Sequence, residues 1–229
     1  MKSHMEMNSN VEQSEVRRDR GDVKRPSNEL PHMKSMEGRR PERTRESERP
    51  STELPHLKET GAYQKNIDGV EHYYDDNGKL YRKDNNLVPN SKYELNGYRY
   101  TSDEKSRITS AQGTLHLKER ETRLPIKDPI ENIGKGDQKE NDDRGHLIGD
   151  QFDGVNRLEN MVPQNADVNR NSFRNFENDL AKEVKSGKDV NVKVEPMYEG
   201  NSHRPESIVV IYKINGNEGI RIFPNDKEN

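Results

Sequence analysis

The 229-residue chain has no cysteine and no tryptophan. Without cysteine there can be no disulfide framework and no thiolate zinc site. No apolar run approaches the roughly 20 residues that a membrane-spanning helix needs. The opening stretch MKSHMEMNSNVEQSEVRRDR lacks the apolar segment of a secretory signal. Action outside the cell would therefore need a route that uses no signal peptide, and no membrane partner is expected. Hydrophobic residues make up only 27% of the chain and charged ones 35%, too polar a mixture for a chain compact throughout. The net charge of -3 leaves no overall basic footprint for nucleic acid, only room for a local basic stripe.

Aromatic residues are missing from residues 1–60, which instead carry 13 Lys/Arg and 12 Asp/Glu. All nine Tyr and all four Phe lie from Tyr63 onward. This division predicts a disordered, charge-mixed arm over residues 1–60 and a single folded domain over 61–229. The arm holds one duplication, RPSNELPHMK from Arg25 and RPSTELPHLK from Arg49. Two polar copies are too few for a solenoid, so the duplication reads as a linear motif or linker. His32 and His56, inside it, read as solvated.

From Ala62 the pattern becomes that of an α+β domain. Tyr73 and Tyr74 before Asp76-Asn77-Gly78, with Leu80 and Tyr81 after it, predict a hairpin; the acidic turn lacks the ligand ladder of a calcium loop. Asn96-Gly97 and Asn215-Gly216 predict two more turns. Leu115 and Leu117 alternate with polar residues and predict a half-buried strand, as do Val190, Val192 and Val194 and the run SIVVIYKI. Phe173, Phe176, Leu180 and Val184 recur at helical spacing within 165–186, with Asn165 or Asp167 available as a cap and Gly187 as the stop. His116 reads as strand packing.

At 100° per residue, Asn169 and Glu177 fall on or beside this helix's apolar stripe. Polar groups there need partners, and a hydrated metal would satisfy both. Capping by Asn169 and solvent exposure of Glu177 would do so equally. Upstream, NDDRGHLIG places His146 behind Asp143, Arg144 and Gly145, and LENMVPQN supplies Asn160 and Gln164 in an amide-rich turn.

The ordered combination of DRGH, NMVPQ and VNR, with Glu177 eight residues after Asn169, resembles the DNA/RNA non-specific endonuclease family. The likeness is to the branch found in secreted streptococcal nucleases and at the C-terminal ends of bacterial polymorphic toxins of the LXG type. It spans roughly residues 90–223. It implies a ββα-metal core, in which a hairpin delivers the histidine and a helix the metal-binding asparagine, with an antiparallel sheet beside one long helix. Carried over, it makes His146 the general base, Asn169 the protein ligand of one Mg²⁺ (Mn²⁺ as substitute), and Glu177 the group that orients metal-bound water. Asn160 and Gln164 would hold the site or the phosphate. Arg107, within YRYTSDEKSRI, and Arg144 would neutralise the phosphorane, though Lys105-Ser106 departs from the family's Leu-Gly before the arginine. The segment YEGNSHRP places Arg204 among the substrate contacts, with His203 beside it, and Asp143 reads as structural.

The chemistry suits these residue types. An imidazole is partly neutral at physiological pH and can take a proton from water. Mg²⁺ keeps most of its waters, so one amide ligand and one oriented carboxylate are a sufficient protein share. Gly145 is expected to let the backbone approach the phosphate closely. Lys105, Arg107, Lys118, Arg120, Arg123 and Lys127 form the most basic stretch, either lining a nucleic-acid groove or solvating a strand. The resemblance thus implies cleavage of DNA, RNA or both, a toxin delivered to target cells or secreted without a signal peptide, and a cognate immunity protein. A non-catalytic nucleic-acid-binding domain on the same fold is the alternative.

Overall fold

Three two-residue turns set much of the strand register. Asp68-Gly69, Asn96-Gly97 and Asn215-Gly216 all adopt positive φ at both positions, which gives the backbone twist of a tight hairpin. They join β2 (Tyr63–Ile67) to β3 (Val70–Tyr74), β6 (Lys92–Leu95) to β7 (Tyr98–Ser102), and β12 (Pro205–Ile214) to β13 (Asn217–Pro224). The Asp76-Asn77-Gly78 turn lies between β3 and β4 (Leu80–Lys83), where the buried Asp75 carboxylate accepts from the backbone N–H groups of Asn77 and Lys79.

The computed structural model describes residues 52–53 and 61–226. The arm expected over residues 1–60 lies outside the described residues, except for β1 (Thr52–Glu53), which pairs with Gln64 and Tyr63. A five-stranded sheet runs β1-β2-β3-β4-β5, ending at β5 (Asn86–Leu87). A six-stranded antiparallel sheet runs β13-β12-β11-β8-β7-β6, with β8 at Ile108–Thr114 and β11 at Val190–Tyr198. A short helix, α1 (Ile130–Gly134), precedes a separate antiparallel pair, β9 (Asp142–His146) and β10 (Met161–Asn165).

The chain passes from β10 straight into the long helix. It opens with a wide π-helical stretch over Val168–Phe173 and continues as α2 (Arg174–Lys185). Asn165 Oδ1 accepts from the N–H groups of Asp167 and Val168, so the first of the two expected caps is the one used. Gly187, at φ 82°, ends the helix. Phe173 and Phe176 pack edge-on against Phe223 and Tyr212, at centroid distances of 5.0 and 5.3 Å. Leu180 joins them in the core with Val190, Val192, Val194 and Val210, the inward-facing residues of β11 and β12. Together β9, β10 and the helix make the expected ββα unit.

The strand expected around Leu115 and Leu117 ends instead at Thr114. Its partner β11 begins at Val190, and the last bond of the ladder is Leu115 N–H to Val190 O. Beyond it the chain leaves the sheet as a long loop to Asp128. His116, expected to pack within that strand, falls instead in the loop, where it is exposed and stacks on Tyr98 at 5.1 Å.

The smaller sheet is tied to this core through buried charge. Arg82 donates to Glu159 (2.7 Å) and Asp128 (2.8 Å), and Tyr81 Oη donates to the same Glu159 (2.9 Å). Arg82 also stacks over Tyr73 at 4.4 Å. A buried guanidinium is tolerable only with such complete pairing.

Candidate active site

His146 ends β9, opposite Met161. The following segment turns back on itself and is pinned by Asn160. That amide donates to the carbonyls of Ile148 and Val155 and accepts from the N–H of Ile148. The His146 ring is 8% exposed, and its Nε2 lies 2.7 Å from Asn156 Oδ1. An amide oxygen only accepts, so Nε2 carries the proton and Nδ1 the lone pair. Burial pushes the His146 pKa down to about 4; the Asn156 bond opposes this, and nearby Arg123 reinforces it. The imidazole is therefore neutral at physiological pH.

Asn169 sits in the first turn of the π-helical stretch and donates its Nδ2 to Asp143 Oδ2 at 3.1 Å. Arg170 grips the same carboxylate with two bonds, at 2.8 and 2.7 Å. With its nitrogen engaged, the Asn169 amide keeps its oxygen for another partner. Glu177, two turns further on, is half-buried. Burial raises its carboxyl to about pKa 8, offset in part by the Gly149 N–H and by Arg123. His146, Asn169 and Glu177 line one cleft of about 360 Å³, together with Arg123, Arg170 and Arg174. The spacing of four along 169, 173 and 177 puts one helix face towards the hairpin.

The structure places several of the expected residues away from this cleft. Arg107 lies outside this cleft: it donates to Asp103 (2.8 Å) and to the carbonyls of Gly200 and Ser202, and stacks on Tyr198 at 4.6 Å. Arg204, 7% exposed, clamps Asp142 (2.7 and 2.9 Å) and the Asn225 carbonyl, so it faces the interior rather than substrate. His203 lines the pocket beside Arg107, with its Nε2 at 3.2 Å from the Lys105 carbonyl. Arg144 donates to the carbonyls of Ile126 and Asp128 and so anchors the end of the 115–128 loop. Asn160 and Gln164 are both 0% exposed. Asn160 braces the hairpin through the bonds above, whereas Gln164 packs against Gly145 and neither of its buried amide atoms has a hydrogen-bond partner. A Cβ at Gly145 would overlap the Gln164 side chain, so that glycine makes room for Gln164 rather than for a phosphate.

Of the basic stretch, Lys118 and Arg120 are spent on Asp150, at 2.5 and 2.8 Å, and Arg123 reaches the cleft. Sequence reasoning did not single out Asn156, Asp150, Gly149 or Arg174. A lone Asn, Asp, Gly or Arg carries no periodic signal. Only the return of the 147–160 segment onto His146 reveals the first two.

Hairpin, helix and shared cleft together define an endonuclease domain. The chain belongs to the DNA/RNA non-specific endonuclease family, whose model matches residues 89–216. It is 35% identical over 132 residues to the type VII secretion system protein EssD of Staphylococcus aureus strain USA300, a match covering 55% of this chain and 21% of that protein. It thus spans about a fifth of the length of the curated relatives it matches. Among solved structures it resembles NucA from Streptococcus agalactiae, described with magnesium ion bound, at 19% identity and a TM-score of 0.48, covering 75% of this chain and 87% of that one. An extracellular nuclease matches at 20% identity and a TM-score of 0.41, over 62% and 93% of the two chains.

Proposed function

We propose that the chain hydrolyses phosphodiester bonds of DNA, and of RNA, without reading sequence, with His146 as general base and Asn169 holding a Mg²⁺ ion. The observation that carries this reading is the meeting of a neutral imidazole, the Asn169 amide, the half-buried Glu177 carboxyl and the Arg123 guanidinium around one cleft. His146 Nδ1 accepts the proton of the attacking water. Arg123 takes the place foreseen for Arg107 and Arg144, offsetting charge that grows on the phosphate. Contacts of this kind fall on phosphate and sugar and carry little sequence information.

The residues present fit a hydrated divalent cation. Among the described residues no three His, Cys, Asp or Glu side chains converge, which disfavours an ion caged by protein. One amide oxygen and one carboxyl group suit Mg²⁺, which retains its waters and whose charge would favour the ionised form of Glu177. When bound, Mg²⁺, or Mn²⁺ in its place, supplies positive charge to phosphoryl and leaving-group oxygens. Asn169 would ligate it, and Glu177 would order its waters.

The test is digestion of plasmid and RNA with Mg²⁺, wild type beside His146→Ala and Asn169→Ala. Wild type is expected to cut and each variant to lose at least about 10²-fold. Equal cutting by His146→Ala would place the chemistry elsewhere. Salt-sensitive DNA binding without turnover would favour the non-catalytic alternative.

The similarity to EssD supports a setting as a secreted effector, with residues 1–60 as a linker to delivery machinery and a cognate immunity protein as partner. Among the described residues no helix is long and apolar enough to cross a membrane. Expression that is toxic for wild type and harmless for His146→Ala is the expected result.

A further inference from the structure

We propose that Asp150 is a positioning residue: by fixing which way the Asn156 amide faces, it decides which nitrogen of His146 is the base. The proposal rests on the reading of His146 as general base. Asn156 is 1% exposed and bridges the two groups, with Nδ2 at 2.7 Å from Asp150 Oδ1 and Oδ1 at 2.7 Å from His146 Nε2. An amide can face either way, and rotating it by half a turn exchanges a donor for an acceptor. A carboxylate only accepts. Beside Asp150, the Asn156 NH₂ must therefore face Asp150 and its oxygen must face the imidazole. Nε2 is then forced to carry the proton, which leaves the Nδ1 lone pair for water.

Asp150 can impose this only while it is ionised and stationary. Lys118 Nζ at 2.5 Å holds one carboxylate oxygen and Arg120 Nη2 at 2.8 Å the other. Both cations come from the loop after β8, so a segment remote in sequence locks the tautomer of a strand-end histidine. An ordinary surface ion cluster would have no such consequence. Here the side chain between the cluster and the imidazole is shut off from water, and no solvent molecule can substitute for a misdirected amide.

Replacing the carboxylate by an amide should reverse the chain of orientations. In Asp150→Asn, Lys118 and Arg120 offer only donors and attract the new amide's oxygen. Its NH₂ then faces Asn156, whose oxygen turns to accept it. The Asn156 NH₂ now points at Nε2, which must accept, and the proton moves to Nδ1.

The experiment is long-range ¹H–¹⁵N correlation of the imidazoles in the ¹⁵N-labelled, metal-free full chain at neutral pH. His146 is assigned by its loss in His146→Ala. The expected result is the Nε2–H tautomer in wild type and in Arg120→Gln, where Lys118 still holds Asp150, and the Nδ1–H tautomer in Asp150→Asn. In parallel, kcat of Asp150→Asn on DNA with Mg²⁺ should fall by about 10²–10⁴-fold with KM little changed. An Nδ1–H wild type, or an Asp150→Asn protein whose tautomer is unchanged, overturns the proposal. An Nδ1–H wild type overturns it whether or not that variant folds. The tautomer needs no turnover, so a wild type with the expected spectrum and no cleavage would uphold the relay and sink the nuclease reading instead.

Discussion

Gly149 shows how much the cleft depends on a side chain that is not there. A Cβ at this position would overlap the Glu177 carboxylate, which approaches the Gly149 backbone N–H. Gly149→Ala should push Glu177 off its position, and a misplacement of this kind costs roughly 10²-fold in rate. Cleavage assays paired with urea midpoints check it, since a fall in activity without a matching fall in stability is the expected pattern. His146 makes a separate prediction about pH. Its folded pKa of about 4 lies below the ordinary 6.5, so between those values the unfolded chain binds the extra proton. Stability should therefore fall as pH drops from about 6.5 to 4, by on the order of 3 kcal/mol. Asp150 behaves differently. Burial alone would raise its pKa, but Arg120, Lys118 and Asn156 hold it near 2. Its contribution is complete above the ordinary carboxylate range and is lost progressively as pH falls from about 3.8 to 2. Urea titrations at pH 7, 4.5 and 2.5, with His146→Ala as control, separate the two windows.

At the scale of elements, local chemistry accounts for most of what formed. The Asn-Gly turns, the alternating valines of β11 and the apolar spacing of the helix are all readable, because φ preferences and periodicities act within a few residues. The cap at Asn165 belongs here too. Asn165→Ala should cost about 1 kcal/mol through the two N–H groups it leaves unmet, measurable as a shift in urea midpoint. Two features escaped such reading. The π-helical stretch at Val168–Phe173 widens the first turn that carries Asn169, and its sequence VNRNSF bears no local mark of this. The strand foreseen at Leu115 and Leu117 has the right alternation but no neighbour to pair with past Val190. Alternation shows that a segment could be a strand; a partner makes it one.

At the scale of the molecule, the family match begins at residue 89, yet Arg82 and Tyr81 lie before it and close the charge of Glu159 inside the core. Removing one partner of a buried pair typically costs about 3–5 kcal/mol. A chain starting at residue 89 should therefore fail to fold, while one starting at 61 should fold and cleave. Circular dichroism and plasmid digestion on the two truncations, with Arg82→Met in the full chain, test this. If the shorter chain folds and cuts as well as the longer, the small sheet is dispensable.

Local chemistry accounts for the antiparallel α+β composition, the turn positions, the helix and the order in which His146, Asn169 and Glu177 appear. Each of these follows from short-range backbone preference or from a side chain's own chemistry. Which cations face the cleft is settled by the fold alone. Arg107 is neutralised by Asp103 and two carbonyls across the fold, Arg204 by Asp142 and Asn225, and Arg120 by Asp150, while Arg123 lines the cleft with His146. Charge pairing is a matter of distance in space, and one arginine in a sequence looks like any other until the fold has assigned its neighbours.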